Sequence, residues 1–403
     1  MKIISAKYIY KDREYIKNSA ILFDNKIVKI DTLENLTKAY PQVSVTSYEN
    51  SVIYPGFINP HTHLEFSANR ATLELGDFIE WLYSVFKYRE KLINNLNEFT
   101  LEEAIEQMLL SGITTFGAIS SFGLDMQTCK ESKLRVVYFN EIIGSSASMV
   151  DALFKDFKMR LEESLELSDD SFYSAIAIHS AYSVHPFLLR EVLKIAKEKN
   201  LLVTTHFLES PYEREWLESG SGKFRELFEN FFNTSTPLTT IDEFLNAFKG
   251  IKTLFTHCTQ ATKEEIKKIN KENNYIIHCP RSNRLLNCGK LDINSVKNLN
   301  LATDGLSSNY SLSILDELKS AIFMHTHTNP KELALRLIDA VTIKGGEALG
   351  LKVGNIKEDY FADFAIVDIP SDLSDTSAGS IALHSIINNN QAKGVYIGGQ
   401  KLI

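Results

Sequence analysis

From about residue 52 onward, the hydrophobic positions of the chain switch repeatedly between two spacings. Short runs of β-branched and aromatic residues, suited to strands buried on both faces, alternate with longer stretches whose apolar residues recur every three or four positions, suited to helices resting one face on a core. The runs predict strands over 52–58, 113–119, 134–142, 173–179, 201–206, 252–257, 275–278 and 299–303, with helices over 101–110, 150–167, 186–198, 241–248 and 263–269 among the connections. Eight such units predict an α/β fold, a (β/α)8 TIM-type barrel. The flanking segments are β-rich, and each is too short to enclose a core alone. They are expected to join as one small β-sandwich domain of residues 1–51 and 355–403, leaving the barrel in 52–354.

Composition narrows the classes. A chain of 403 residues with 44% hydrophobic content can bury a barrel-sized core. Basic residues number 43 against 51 acidic ones, a net charge of −8 with no basic block, so nucleic acid is not expected as a partner. Charge interrupts the first residues too early for a signal peptide, and no sustained apolar span follows, so the expectation is a cytoplasmic protein without membrane contact. Cys129, Cys258, Cys279 and Cys288 lack Cys-x-x-Cys spacing and are expected to stay reduced. A homo-oligomer is compatible with all of this.

The candidate chemistry lies where the predicted strands end. His61 and His63, one residue apart, point to the same side of an extended segment. His179, His206, His257 and Asp304 also fall at strand ends, where barrel active sites form. His278 ends a strand without an assigned role, and His185, His325, His327 and His384 lie elsewhere. Three histidines and one aspartate suit a divalent cation, zinc first and ferrous iron second. Such an ion lowers the pKa of a bound water from about 15.7 to near 7, and Asp304, if it touches both ion and water, is placed to take the proton.

These residues sit in motifs that resemble the amidohydrolase superfamily, in particular its single-metal chlorohydrolase and deaminase branch. Pro55-Gly-Phe-Ile-Asn-Pro-His-Thr-His63 is similar to its opening motif, His206-Phe-Leu-Glu209 to the motif after strand five, and His257 to its strand-six histidine. His278-Cys-Pro-Arg-Ser-Asn283 and Thr303-Asp-Gly-Leu-Ser-Ser-Asn309 match the motifs near strands seven and eight. Val341-Thr-Ile-Lys-Gly-Gly-Glu-Ala-Leu-Gly350 and Tyr360-Phe-Ala-Asp-Phe-Ala-Ile-Val-Asp368 resemble the lead into the terminal β-sandwich. Two-metal members carry a bridging lysine near the end of strand four, and Tyr173-Ser-Ala-Ile-Ala-Ile-His-Ser180 has none.

The resemblance therefore implies one divalent ion held by His61, His63, His206 and Asp304. It implies that His257 orients or polarises the attacking water, and that Glu209 donates a proton to the substrate ring. The segment around Trp81 and Glu90 resembles that of adenosine-type deaminases, with the indole packed on a nucleoside and the carboxylate on ribose hydroxyls. His179 is implied as a further sugar-side contact and Ser308 as a polar contact near the base. The implied activity is hydrolytic deamination of a small-molecule adenine nucleoside. The match of His63-Leu-Glu-Phe-Ser-Ala-Asn69 with Phe78-Ile-Glu-Trp-Leu82 points to 6-amino-6-deoxyfutalosine, a substrate of menaquinone biosynthesis. Arg281 and Arg284 are the candidates for its 5′ substituent. S-adenosylhomocysteine or 5′-methylthioadenosine is the rival substrate, another amidohydrolase reaction stands further behind, and a non-catalytic barrel scaffold is the outside alternative.

Overall fold

The structure, a computed structural model, describes residues 1–69 and 73–403. Eight strands form one parallel sheet in chain order: β1 (Phe57–Thr62), β2 (Ile113–Ser120), β3 (Arg135–Ile142), β4 (Phe172–Ile178), β5 (Val203–Phe207), β6 (Thr253–His257), β7 (Tyr275–His278) and β8 (Leu299–Leu301). Side chains help to bring the first and last strands together. Asn59 Nδ2 donates to Thr303 Oγ1 at 2.8 Å while its Oδ1 accepts from Thr303 N at 3.0 Å, and Asp304 N donates to His61 O at 3.2 Å. The sheet is thereby a nearly closed barrel, and Asp304 is tied to the strand that carries His61.

Successive strand residues alternate between two cores, as the pleat requires. Ile58, Val137, Phe139, Ala177, Leu254 and Ile277 share the inner cluster. Phe57, Tyr138, Ile176, Ile178 and Ile276 share the outer one with helix residues such as Leu188 and Val192. Both faces of the strands are thus apolar, which is why their sequences read as hydrophobic runs rather than alternations.

The run at 52–58 is the one place where an expected strand divides. Its first part belongs to the strand Val45–Pro55 of a second sheet, and its second part begins β1. The division falls at Gly56, where a Cβ would lie 2.0 Å from Thr114 Oγ1.

The second sheet mixes both termini. Its order is Gln400–Lys401, Gly394–Ile397, Phe364–Asp368, Val45–Pro55, Lys2–Lys11, Ala20–Phe23 and Ile27–Asp31, with Glu14–Ile16 paired to Lys2–Lys11. Phe23 and Tyr396 stand four strands apart, about 19 Å in a flat sheet. Their ring centroids are 6.0 Å apart, so the sheet folds over on itself and encloses a small aromatic core with Phe364. Among the described residues no helix is long and apolar enough to cross a membrane.

One helix matters for the site. Helix α1 (Phe78–Asn94) lies in the connection from β1 to β2, started by Asp77, whose Oδ1 accepts from Ile79 N and Glu80 N.

Candidate active site

Four of the site's backbone positions are strained in the same way. Leu208, His257, Cys258 and Asp304 have φ values of 46°, 71°, 52° and 59°, the left-handed region that side chains with a Cβ rarely occupy. Such strain persists only where surrounding structure holds it, and two of the four, His257 and Asp304, line one cavity.

His61 Nε2 and His63 Nε2 lie 3.8 and 3.7 Å from the same oxygen, Asp304 Oδ1. His61 Nε2 is buried without a hydrogen-bond partner among the described residues. His206 Nδ1 must donate to the His179 carbonyl oxygen at 2.9 Å, which leaves a lone pair on Nε2, 3.2 Å from His63 Nε2. Burial pushes the pKa of His61 and His206 well below the usual value, keeping the rings neutral as cation ligands must be. Burial pushes the Asp304 carboxyl up, but His257, His61, His63 and the Ser282 hydroxyl more than offset it and hold the group below the usual carboxylate range. Three neutral imidazoles and one carboxylate with converging donor atoms fit a divalent cation.

His257 and Glu209 stand beside this cluster. His257 Nδ1 donates to Asn283 Oδ1 at 2.8 Å, leaving Nε2 as acceptor, 3.5 Å from Glu209 Oε1 and 3.9 Å from Asp304 Oδ2. Burial, reinforced by the charges of Asp304 and Glu213, pushes the Glu209 carboxyl well above its usual pKa, which favours its protonated form. Its backbone is clamped: Glu209 N and Leu208 N donate to Glu213 Oε2 and Oε1 at 2.7 and 3.1 Å, and Thr259 Oγ1 donates to Glu209 O at 2.6 Å.

The cluster forms one end of a cavity of about 500 Å³. His63, His206, Glu209, His257 and Asp304 line it, as do Trp81, His179 and Ser308. Trp81 Nε1 donates to Ser307 O at 2.9 Å, which pins the indole near Asp304. His179 Nδ1 meets Ser183 Oγ at 2.6 Å, and burial lowers its pKa to about 4. Ser308, expected near a base, spends its hydroxyl on Asp304 Oδ2 at 3.1 Å, alongside Ser282 at 2.7 Å.

Other candidate residues stand away from the cavity lining. Glu90 is exposed and lies outside the residues that line the cavity, because nine residues are about two and a half helical turns and put it across α1 from Trp81. Arg281 is buried against Glu317, its Nε 2.7 Å from Oε1, and neither it nor Arg284 lines the cavity. His278 pairs with His325, Nε2 to Nε2 at 3.0 Å, and its Nδ1 lies 3.4 Å from Asn283 Nδ2, so it supports the residue that holds His257.

Three contributors went unassigned in the sequence. Glu213 stands three residues after Ser210, a capping-box spacing, and its carboxyl group accepts from the Leu208 and Glu209 amides while its own amide donates to Ser210 Oγ. Glu65 accepts from the backbone of Ser121, Phe122 and Leu124 and so shapes the loop after β2. Glu141, a lone carboxylate in an apolar strand, lines the cavity with its Oε1 unpartnered among the described residues.

A parallel barrel carrying a His-x-His pair, two further strand-end histidines and an aspartate on one cavity defines a metal-dependent hydrolase. Residues 52–402 match the model of the Amidohydrolase family, and the chain belongs to that family. More particularly, it is 45% identical to an aminodeoxyfutalosine deaminase of a Nitratiruptor species, with 100% of this chain and 99% of that one covered. It is 35% identical over all of both chains to an adenosine deaminase of Helicobacter pylori. The crystal structure of Helicobacter pylori aminofutalosine deaminase in complex with methylthio-coformycin superposes with a TM-score of 0.94 at 34% identity, covering all of both chains.

Proposed function

We propose that this chain is a metal-dependent deaminase of adenine nucleosides whose substrate is 6-amino-6-deoxyfutalosine, converted with water to futalosine and ammonia. The observation that carries the reaction class is Glu209, a buried carboxyl group lining the same cavity as the His and Asp cluster, its Oε1 3.5 Å from His257 Nε2. The full-length similarity to an aminodeoxyfutalosine deaminase supports the substrate and, with it, a step of menaquinone biosynthesis. Four buried, unpaired cysteines fit a reducing compartment, the cytoplasm.

His61, His63, His206 and Asp304 would hold one divalent cation, zinc ahead of ferrous iron for so imidazole-rich a set. When bound, it supplies the Lewis acidity that lets water act as a nucleophile near neutral pH. Asp304 directs Oδ1 toward His61 and His63 and Oδ2 toward His257. In this reading its carboxylate takes the proton that the attacking water gives up and returns it to the departing amine. Glu209 donates its proton to the ring nitrogen next to the reacting carbon, where attack would otherwise build negative charge. His257, its Nδ1 proton committed to Asn283, offers Nε2 as an acceptor that orients the water. The ring carbon gains oxygen and loses its exocyclic nitrogen as ammonia; the ring nitrogen keeps the proton from Glu209, and the proton left on the new hydroxyl passes back to Glu209, which forms the carbonyl and restores the acid.

Trp81 supplies an apolar wall for the nucleoside. The sugar-side positions fall to His179 and Glu141, whose free Oε1 suits a hydroxyl donor, rather than to Glu90. The test is a substrate panel on metal-analysed protein, followed by the absorbance change from adenine to hypoxanthine. 6-Amino-6-deoxyfutalosine should be turned over with the highest kcat/KM, and equal or better turnover of S-adenosylhomocysteine would overturn the choice.

A further inference from the structure

Behind His257 a line of buried side chains leaves the cavity and crosses into the helical layer. Asn283 stands on the short helix Pro280–Leu285, His278 ends β7, and His325 closes the helix Ile314–Met324. All three are buried, and none of them lines the cavity. Each touches the next: His257 Nδ1 meets Asn283 Oδ1 at 2.8 Å, Asn283 Nδ2 meets His278 Nδ1 at 3.4 Å, and His278 Nε2 meets His325 Nε2 at 3.0 Å.

The amide sets the polarity of this line. An amide oxygen only accepts and an amide nitrogen only donates, so His257 carries its proton on Nδ1 while His278 keeps a lone pair on Nδ1. A neutral His278 then has its proton on Nε2 and gives it to His325, whose Nε2 must accept. Both outer rings are held neutral, as this requires. Burial, with His325 and His257 adding to it, keeps His278 well below its usual pKa. Burial, helped by the charges of Lys290 and Arg336 against that of Asp292, lowers His325 to about 4. Turned over, the amide would serve His257 equally well, with Nδ2 donating to an unprotonated Nδ1 and the ring proton moved to Nε2. That arrangement would need His278 to donate at Nδ1 and His325 to donate at Nε2. The two outer rings therefore decide which way Asn283 points.

We propose that His278 and His325 are positioning residues for the reaction: through Asn283 they hold His257 in the tautomer whose Nε2 presents a lone pair to the attacking water. The inference rests on the deaminase reading above and deepens it, by giving a task to two histidines that lie outside the cavity. Which nitrogen of an imidazole carries the proton is set by the bond that the other nitrogen makes. With its proton on Nε2, His257 would donate to Glu209 Oε1, 3.5 Å away, and favour the ionised carboxylate, which has no proton to give. One tautomer thus serves both the water and the acid, and the other serves neither.

The experiment reads the His257 ring by nitrogen NMR on zinc-loaded enzyme carrying isotope-labelled histidine, its signals assigned by their loss in His257→Gln. The wild type should show Nδ1 protonated and Nε2 unprotonated, and a proton on Nε2 overturns the proposal. His278→Phe removes the acceptor that faces Asn283 and should lower kcat for 6-amino-6-deoxyfutalosine by about tenfold, with KM and metal content unchanged. His278→Asn, which offers an amide oxygen where the ring has Nδ1, should recover most of that loss. His325→Phe leaves the His278 Nε2 proton without its acceptor and should also lower kcat, whereas His325→Glu supplies an acceptor and should restore it. A loss confined to KM or metal content, or one that His278→Asn and His325→Glu do not recover, marks packing alone and overturns the proposal. Wild-type enzyme that fails to deaminate 6-amino-6-deoxyfutalosine overturns the functional reading instead, while its ring spectrum still reports the tautomer.

Discussion

At one end of the cavity the acting side chains are each held by a further contact: Asp304 by Ser282 and Ser308, His206 by the His179 carbonyl, His257 by Asn283, and the Glu209 backbone by Glu213. At the other end, Arg89 rests on one ring face and Phe86 meets the exposed Phe231 and Phe232. The first set stands on barrel strand ends, the second on a helix in a connection between strands. Proton transfer and cation binding demand positions fixed to within fractions of an ångström, which strand ends supply. Recognition of a substituent needs a surface that can be re-drawn residue by residue, which a helix face supplies.

This contrast can be broken at several points. Removing the cation with a chelator, or replacing His61 with Ala, should abolish turnover, with metal content measured on the same protein; a metal-free preparation that still releases ammonia at the native rate would break it outright. Replacing Glu213 with Gln removes one of the two oxygens that clamp the Glu209 loop and should lower kcat by about tenfold at unchanged metal content. An effect on KM alone would place that clamp on the recognition side of the divide. Trp81→Phe keeps an apolar wall but loses the bond to Ser307, and should raise KM by a few-fold while leaving kcat within about twofold. The smallest expected effect is at Glu90: being exposed on the far side of α1, Glu90→Gln should change kcat/KM by less than about twofold. A large rise in KM for nucleosides with no change for free adenine would return Glu90 to the ribose.

The same contrast explains what could be read from the sequence. Strand periodicity is two and strand ends are marked by where an apolar run stops, so His61, His63, His206, His257 and Asp304 announce both their face and their place in the barrel. Glu209 follows His206 by three residues, and its place beside the cluster needs only that proximity. Helix α1 is harder because neighbouring residues diverge by about 100°, so Arg89 borders the cavity while Glu90, one residue on and equally exposed, does not. Long-range partners are harder still. Arg281 reads as a free cation until Glu317, 36 residues on, neutralises it. Glu141 reads as a misplaced charge in β3 until the fold sets it on the cavity wall.

The most direct test of the account is the deamination rate of Glu209→Gln, measured on protein whose metal content equals that of the wild type. A glutamine cannot donate the proton that the ring nitrogen needs, so the rate should fall by about 10³-fold with the cation still bound. A rate equal to that of the wild type would contradict the assignment of Glu209 as the acid, and with it the deaminase chemistry built on this site.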